Sequence, residues 1–293
     1  MQDVPAAVIE SSVRAALDED IGSGDLTARL ISEDETGNAS LISRESMCLC
    51  GAAWFDEVFA QLDARVRVEW NFNDGDWVPA ESIVCILAGP ARALLTGERS
   101  AMNFLQMLSG TATTTRKFAN CLQGSSTELL DTRKTIPGHR LAQKYAVRCG
   151  GGSNHRIGLY DAFLVKENHI AAAGGIAPAI ARARAIAPEK PVEVEIETLA
   201  QLEEAISHGV DIVMLDNFDN EALARAVRLN REVGGIGRKR AKIEVSGNVD
   251  EARLAYLAQV GVDYVSVGAL TKNIRAVDLS MRFLGAIKNK TDG

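Results

Sequence analysis

The chain has 293 residues, a formal net charge of −7 and 46% hydrophobic residues. That size suits one large globular domain or two smaller ones, with ample apolar side chains for a core. The acidic balance argues against nucleic acid as the main partner. No apolar run approaches the roughly 20 residues that span a bilayer, and the start, MQDVPAAVIESSVRAALDED, lacks the basic-then-apolar order of a secretion signal.

In chain order, the start reads as an amphipathic helix with Val8, Ile9, Val13 and Leu17 on one side. Runs of β character follow at Ala39–Cys50, Val66–Phe72 and Ile83–Leu87, with a turn-rich Asn73–Pro79 between the last two and a helix over Ala53–Leu62. A long helical pattern from Thr96 to Leu122 then hands an α+β region over to something else. Five scattered cysteines (Cys48, Cys50, Cys85, Cys121, Cys149) lack zinc or redox spacing. They are expected to be buried thiols in a reducing, cytoplasmic compartment.

Beyond residue 122 the chain acquires a beat. Short β-branched runs recur at Glu128–Asp131, Ala162–Val165, Val192–Ile196, Ile212–Leu215, Ile243–Val245 and Tyr264–Val267. Helical stretches at Ala177–Ala187, Leu199–His208, Glu221–Glu232 and Glu251–Val260 lie between them. Alternating strands and helices imply a parallel sheet, and so many units suit a closed or nearly closed β/α barrel. A doubly wound sheet is the rival, but no GxGxxG turn follows the first strand. Ile274–Ile287 reads as a last helix.

Chemistry in a β/α barrel sits at the C-terminal strand ends. Here those ends carry Arg133-Lys134, Lys166-Glu167-Asn168, Glu195 and Glu197, Asp216-Asn217, Ser246-Gly247-Asn248 and Gly268. Residues 131–170 hold three of the four histidines (His139, His155, His169) and seven Lys/Arg against three Asp/Glu. Arg133, Lys134, His155, Arg156 and Lys166 suit carboxylates and a diphosphate. Arg140, Lys144 and Arg148 fall at helical spacing and read as a solvated face. In VEVEIE, Glu193, Glu195 and Glu197 share one face, and the deeper ones are expected to serve structure, paired with cations such as Lys242 or Lys166. Glu195 and Asp216 are candidates for Mg²⁺ or ribose hydroxyls. Ser246-Gly247-Asn248 and Val267-Gly268-Ala269 offer small residues whose backbone N–H groups can meet a phosphate. The histidines lack zinc-ligand spacing, and His169 and His208 fit satisfied positions at helix ends.

DTRKT, GGGSNHR, LYDAFLVKENH, VEVE, MLDNF, EVSGN and SVGALTK, in this order, closely resemble quinolinate phosphoribosyltransferase, as do the upstream EDIGSGDLT and LLTGERSAMNFLQMLSGTAT. The resemblance covers nearly the whole chain. It implies an α/β fold: an N-terminal α/β sandwich domain (1–110), an incomplete β/α, TIM-like barrel (111–272), and a C-terminal helix (273–293) packing back on the first domain. It also implies that quinolinate and phosphoribosyl pyrophosphate, with Mg²⁺, become nicotinate mononucleotide, CO₂ and pyrophosphate, a step of de novo NAD synthesis. On the matching motifs, Arg133, Arg156 and Lys166 hold the quinolinate carboxylates with His155 beside them, while Arg99 of GERS reaches in from a partner subunit of a homodimer. Lys134 meets the donor at its diphosphate, Thr132 of DTRKT is a further substrate-binding residue, and Glu195 and Asp216 serve ribose and metal. Ser246, Gly247, Asn248, Val267, Gly268 and Ala269 cradle the 5′-phosphate. The basic stretch Arg231–Lys242 is longer than the family pattern suggests.

Three other readings stand beside this one. A same-fold paralogue associated with molybdenum transport would change the dicarboxylate set, yet Arg99, Arg133, Arg156 and Lys166 are all present. A non-catalytic sugar-phosphate-binding barrel would not need Lys134, Glu195 and Asp216. A lyase using Lys166 as a Schiff base is the third.

Overall fold

A computed structural model describes residues 4–216, 218–235, 240–247 and 249–284. Helix α1 (Ala6–Ile21) leads to β1 (Thr36–Ser43), β2 (Met47–Cys48), α2 (Ala52–Leu62), β3 (Arg67–Trp70), β4 (Trp77–Val78), β5 (Ile83–Pro90) and the long α3 (Ala91–Asn120). Next come β6 (Glu128–Leu130), α4 (Arg140–Cys149), β7 (Phe163–Val165), α5 (Glu167–Ala173), α6 (Ile176–Ile186), β8 (Val192–Ile196) and α7 (Leu199–Ser207). The chain continues through β9 (Ile212–Leu215), α8 (Asn220–Gly235), β10 (Lys242–Ser246), α9 (Glu251–Val260), β11 (Tyr264–Ser266), α10 (Ala269–Lys272) and β12 (Leu279–Phe283).

Two compact units interleave along the sequence. One gathers the described residues up to Arg116, Thr135–Gly151 and those from Leu270 onward; the other gathers Lys117–Lys134 and Gly152–Ala269.

The first unit is built on an antiparallel sheet in the order β12-β1-β5-β3. Trp54, Phe55, Val58 and Phe59 fall at helical spacing on α2, and each is at most 1% exposed in a core shared with Leu41, Leu87 and Leu105. A methyl group on Gly97 of α3 would lie 2.7 Å from the Phe59 ring, so glycine is what fits there. The run expected as one strand over Ala39–Cys50 is broken into β1 and β2.

Two expectations are corrected in this unit. The helix expected over Ile274–Ile287 is not formed at Leu279–Phe283, which is a strand antiparallel to β1 with Leu41 opposite Met281. In LSMRF, apolar Leu279, Met281 and Phe283 alternate with polar Ser280 and Arg282, the strand period, and pairing satisfies the edge of β1. Residues 285–293, the rest of the expected helix, lie outside the described residues. The solvated face expected on α4 also fails at Lys144, which is fully buried.

The second unit is a six-stranded parallel sheet in the order β6-β11-β10-β9-β8-β7. This is the cyclic neighbour order of a β/α barrel with one seam left open, between β6 and β7. The expected incomplete barrel is therefore what forms, and no closed barrel is found among the described residues. At the seam Ser153 runs alongside β6, donating its N–H to Leu129 and accepting from Asp131. Val192, Val194 and Ile196 are completely buried on one face of β8, and Glu193 and Glu195 alternate with them. Of the basic stretch Arg231–Lys242, residues 236–239 lie outside the described residues, while Arg240 and Lys242 both pair with Asp263, at 2.7 and 2.9 Å.

Candidate active site

The C-terminal ends of the parallel strands enclose a cavity of about 510 Å³ in the second unit, lined by Thr132, Arg133, Lys134, His155, Arg156, Lys166, Glu195, Asp216, Glu244, Ser246 and Gly247 among others. A neighbouring cavity of about 560 Å³ shares Arg133, Arg156, Leu164 and Lys166, and adds apolar Leu159, Phe163 and Ile186. Ten of the fifteen residues singled out from the sequence thus line one chamber.

Parallel pairing sets their common height. Leu130 and Ser266 are partners across β6 and β11, and Ile196 and Leu215 across β8 and β9. The residues that follow these strands consequently emerge together. Asp216 is fixed at its strand end by a backbone bond to the carbonyl of Ile196.

Gly268 lies against the DTRKT turn. A Cβ on it would meet Lys134 Cδ at 3.0 Å and Thr132 Oγ1 at 3.5 Å, so glycine makes room for the lysine stem. Thr132 Oγ1 accepts the Lys134 N–H at 3.1 Å. Gly247 has φ +137°, backbone that side-chain-bearing residues rarely adopt. Val267 donates its N–H to Leu130, so that amide is committed to the sheet. Val267, Gly268 and Ala269 do not line the cavity, and Asn248 lies outside the described residues.

The GGGSNHR run is fastened by Asp131, a fully buried carboxylate that accepts from Asn154 Nδ2 at 2.6 Å and from the His155 N–H at 2.9 Å. The first residue of DTRKT therefore holds the loop that carries His155 and Arg156, a pairing that periodicity alone does not reveal. His155 Nε2 lies 3.0 Å from Glu193 and 3.4 Å from Glu244, both almost wholly buried. The deep glutamate of VEVE thus pairs with histidine; of the two cations expected as partners, Lys166 pairs with Glu195 and Lys242 with Asp263.

Burial disfavours a charged imidazole, but Glu193 and Glu244 together outweigh it and push His155 up to about 10. Nδ1, however, accepts the Arg156 N–H at 2.7 Å and has no lone pair left for a second ring proton. The geometry therefore places the trio's additional proton on the carboxylate side. Glu193 is itself raised, first by burial and then by its neighbour Glu244, against the lowering contact of His155.

Burial lowers Arg156 from the usual guanidinium range; Glu193 opposes this, and the like charge of Arg133 reinforces it. Arg156 Nε is buried without a hydrogen-bond partner. Lys166 Nζ reaches Glu195 Oε2 at 2.7 Å, while the Lys166 N–H is taken by His169 Nδ1, leaving His169 satisfied at the start of α5 as expected. Arg99 is exposed on α3, in the first unit. Adjacent cations, one with an unsatisfied buried donor, suit a compact polyanion; the carboxylates across the cavity suit hydroxyls and a hard cation.

Comparisons with known proteins converge. The family model described as quinolinate phosphoribosyl transferase, C-terminal domain, matches residues 111–282, and the corresponding N-terminal domain matches residues 25–109. A curated relative from Bacillus subtilis (strain 168), named probable nicotinate-nucleotide pyrophosphorylase (carboxylating), is 41% identical over 264 residues, 90% of this chain and 89% of its own. Among solved structures, the nicotinate-nucleotide pyrophosphorylase from Francisella tularensis is similar with TM-score 0.91 and 49% identity, covering 96% of this chain and 98% of that one. NadC from Streptococcus pyogenes gives TM-score 0.91 at 41% identity, covering 97% and 100%.

Proposed function

The chain belongs to the quinolinate phosphoribosyltransferase family, and we propose that the cavity at its parallel strand ends is where both substrates of that family meet. The enzyme is a pentosyltransferase of pyridine nucleotide synthesis. It moves the phosphoribosyl group of phosphoribosyl pyrophosphate to quinolinate and releases pyrophosphate and CO₂, leaving nicotinate mononucleotide. The observation that carries the site assignment is the segregation of charge within one chamber, with Arg133, Arg156 and Lys166 beside Glu195 and Asp216.

In this reading, Arg133, Arg156 and Lys166 clamp the two carboxylates of quinolinate, which sets the pyridine nitrogen against the anomeric carbon. Such positioning contributes up to roughly 10 kcal/mol. Thr132 and Lys134 take the diphosphate. Ser246 and Gly247 take the 5′-phosphate together with Gly268 and Ala269, since the Val267 amide is already used. Pyrophosphate departs with the electrons of the C–O bond, and Glu195 and Asp216 stabilise the positive charge left on the ribose. The nitrogen lone pair forms the new bond. The pyridinium then accepts the electron pair of the adjacent carbon–carboxylate bond as CO₂ leaves, and a proton from solvent completes the product.

The hard oxygen donors of Glu195 and Asp216 would hold Mg²⁺, and the positive charge it would supply favours departure of the diphosphate. The active unit we propose is a homodimer in which Arg99 completes the neighbouring subunit's site, with higher oligomers compatible with the same sharing. The five free cysteines support work in a reducing cytoplasm. No helix among the described residues is long and apolar enough to cross a membrane.

Initial-rate titrations of both substrates with and without Mg²⁺ test this reading. Saturable dependence on each substrate and loss of turnover with a chelator are expected.

A further inference from the structure

Glu193 and Glu244 stand on strands β8 and β10, and together they grip a histidine on the loop between α4 and β7. Their exposures are 2% and 0%. Placing two carboxylates so deep is costly unless each is fully satisfied, and these are not: Glu193 Oε1 and both oxygens of Glu244 have no hydrogen-bond partner. Apolar side chains of similar size are often at least as stable in such places, so stability does not account for the pair.

The histidine they grip has committed both ring nitrogens within the protein. Nε2 faces Glu193 and Glu244, and Nδ1 accepts the backbone N–H of Arg156. The same loop is pinned from its other side by Asp131, through the His155 N–H and Asn154. Arg156 therefore leaves a backbone clamped at consecutive amides, while its guanidinium makes one long contact, 3.4 Å to the Ala162 carbonyl, and keeps a buried unsatisfied Nε.

We infer that Glu193 and Glu244 are positioning residues for the dicarboxylate substrate: they hold the imidazole of His155, and His155 fixes the backbone from which Arg156 reaches the substrate, itself donating to no substrate carboxylate. The inference rests on Arg156 being a quinolinate ligand and adds to it the chain of contacts that aims it.

Glu193→Gln keeps an acceptor for Nε2–H, and Glu193→Leu removes it at similar size. In the intact enzyme, calorimetry with quinolinate should show affinity within about 3-fold of wild type for the glutamine variant and weakened at least about 10-fold for the leucine variant, with the KM for phosphoribosyl pyrophosphate changed less than about 2-fold in both. Any fall in the melting temperature of Glu193→Leu should leave the KM for phosphoribosyl pyrophosphate within that 2-fold limit, which separates aiming from a general loss of scaffold. Should that variant not fold, Glu244→Leu carries the same expectation at about 3-fold or more.

Nitrogen-15 spectra of the histidines give a readout independent of turnover. His155 should be the Nε2–H tautomer, with a hydrogen-bonded Nε2–H present in wild type and Glu193→Gln and lost in Glu193→Leu. Unchanged quinolinate affinity in the leucine variant, equal loss for both substrates, or an Nδ1–H tautomer in wild type would overturn the inference. A wild-type enzyme with the expected tautomer but no quinolinate-dependent turnover would instead refute the functional reading.

Discussion

Lys166 Nζ lies 2.7 Å from Glu195 Oε2, so a cation assigned to quinolinate is paired with a carboxylate assigned to the ribose. The lysine side chain is 47% exposed and the glutamate 16%, a contact that an arriving anion can exchange at low cost. The pairing gives Lys166 a defined position before the substrate arrives and makes the two halves of the chamber interdependent.

Glu195→Gln should therefore split binding from turnover. Releasing Lys166 from an exposed ion pair should tighten quinolinate binding by roughly 2- to 5-fold, while loss of the carboxylate beside the ribose lowers kcat by at least about 100-fold. Calorimetry with quinolinate alone, set beside single-turnover rates, checks both. A parallel fall in affinity and rate would contradict the pairing.

Arg156→Ala and Lys166→Ala should each weaken quinolinate binding, by roughly 10- to 100-fold for a charge-assisted contact of about 1.5–3 kcal/mol. The KM for phosphoribosyl pyrophosphate should move far less. Unchanged quinolinate affinity in both variants would count against the cationic wall.

Subunit mixing tests the sharing of Arg99. Arg99→Ala and Lys134→Ala homodimers should each be nearly inactive. If Arg99 serves the neighbour, a verified mixed dimer has both lesions in one site and an intact second site, and activity returns to up to about half that of wild type on simple site counting. Mixed dimers that stay inactive would place Arg99 in its own subunit's site.

The buried trio also predicts how stability varies with pH. His155, Glu193 and Glu244 together hold one proton more in the native state, on the carboxylate side, than the same groups hold in an unfolded chain above the ordinary histidine range near 6.5. The contribution of that proton is full below pH 6.5, declines as pH rises and is gone above about 10. Thermal melts across that window should fall with pH, and fall less steeply in Glu193→Leu. An equal or steeper slope in the variant would contradict the assignment of that proton.

Much of the site is legible in the sequence because a β/α unit brings its strand ends to one face. Arg133, Lys166, Glu195, Asp216 and Ser246 follow apolar runs and meet as that rule requires. What hides is whatever depends on a partner remote in the chain. Glu244 sits between Ile243 and Val245 as Glu193 sits between Val192 and Val194, and this alternation could have marked it as facing inward; nothing local shows that one histidine bridges the two. Asp131 is read as part of a motif, whereas its work is to hold Asn154 and His155. Lys144 has the spacing of a solvated face and is buried because packing overrides the pattern. Leu279–Phe283 becomes a strand because the edge of β1 is available to it.

The measurement that bears most directly on the account is pyrophosphate release from phosphoribosyl pyrophosphate with quinolinate or nicotinate as acceptor. Removing one carboxylate leaves part of a three-cation wall unpaired, so quinolinate should support turnover and nicotinate should fall below it by roughly 1,000-fold or more in kcat/KM, with nicotinate mononucleotide and CO₂ formed from quinolinate. Comparable turnover of the two acids would contradict the assignment of Arg133, Arg156 and Lys166 to a dicarboxylate.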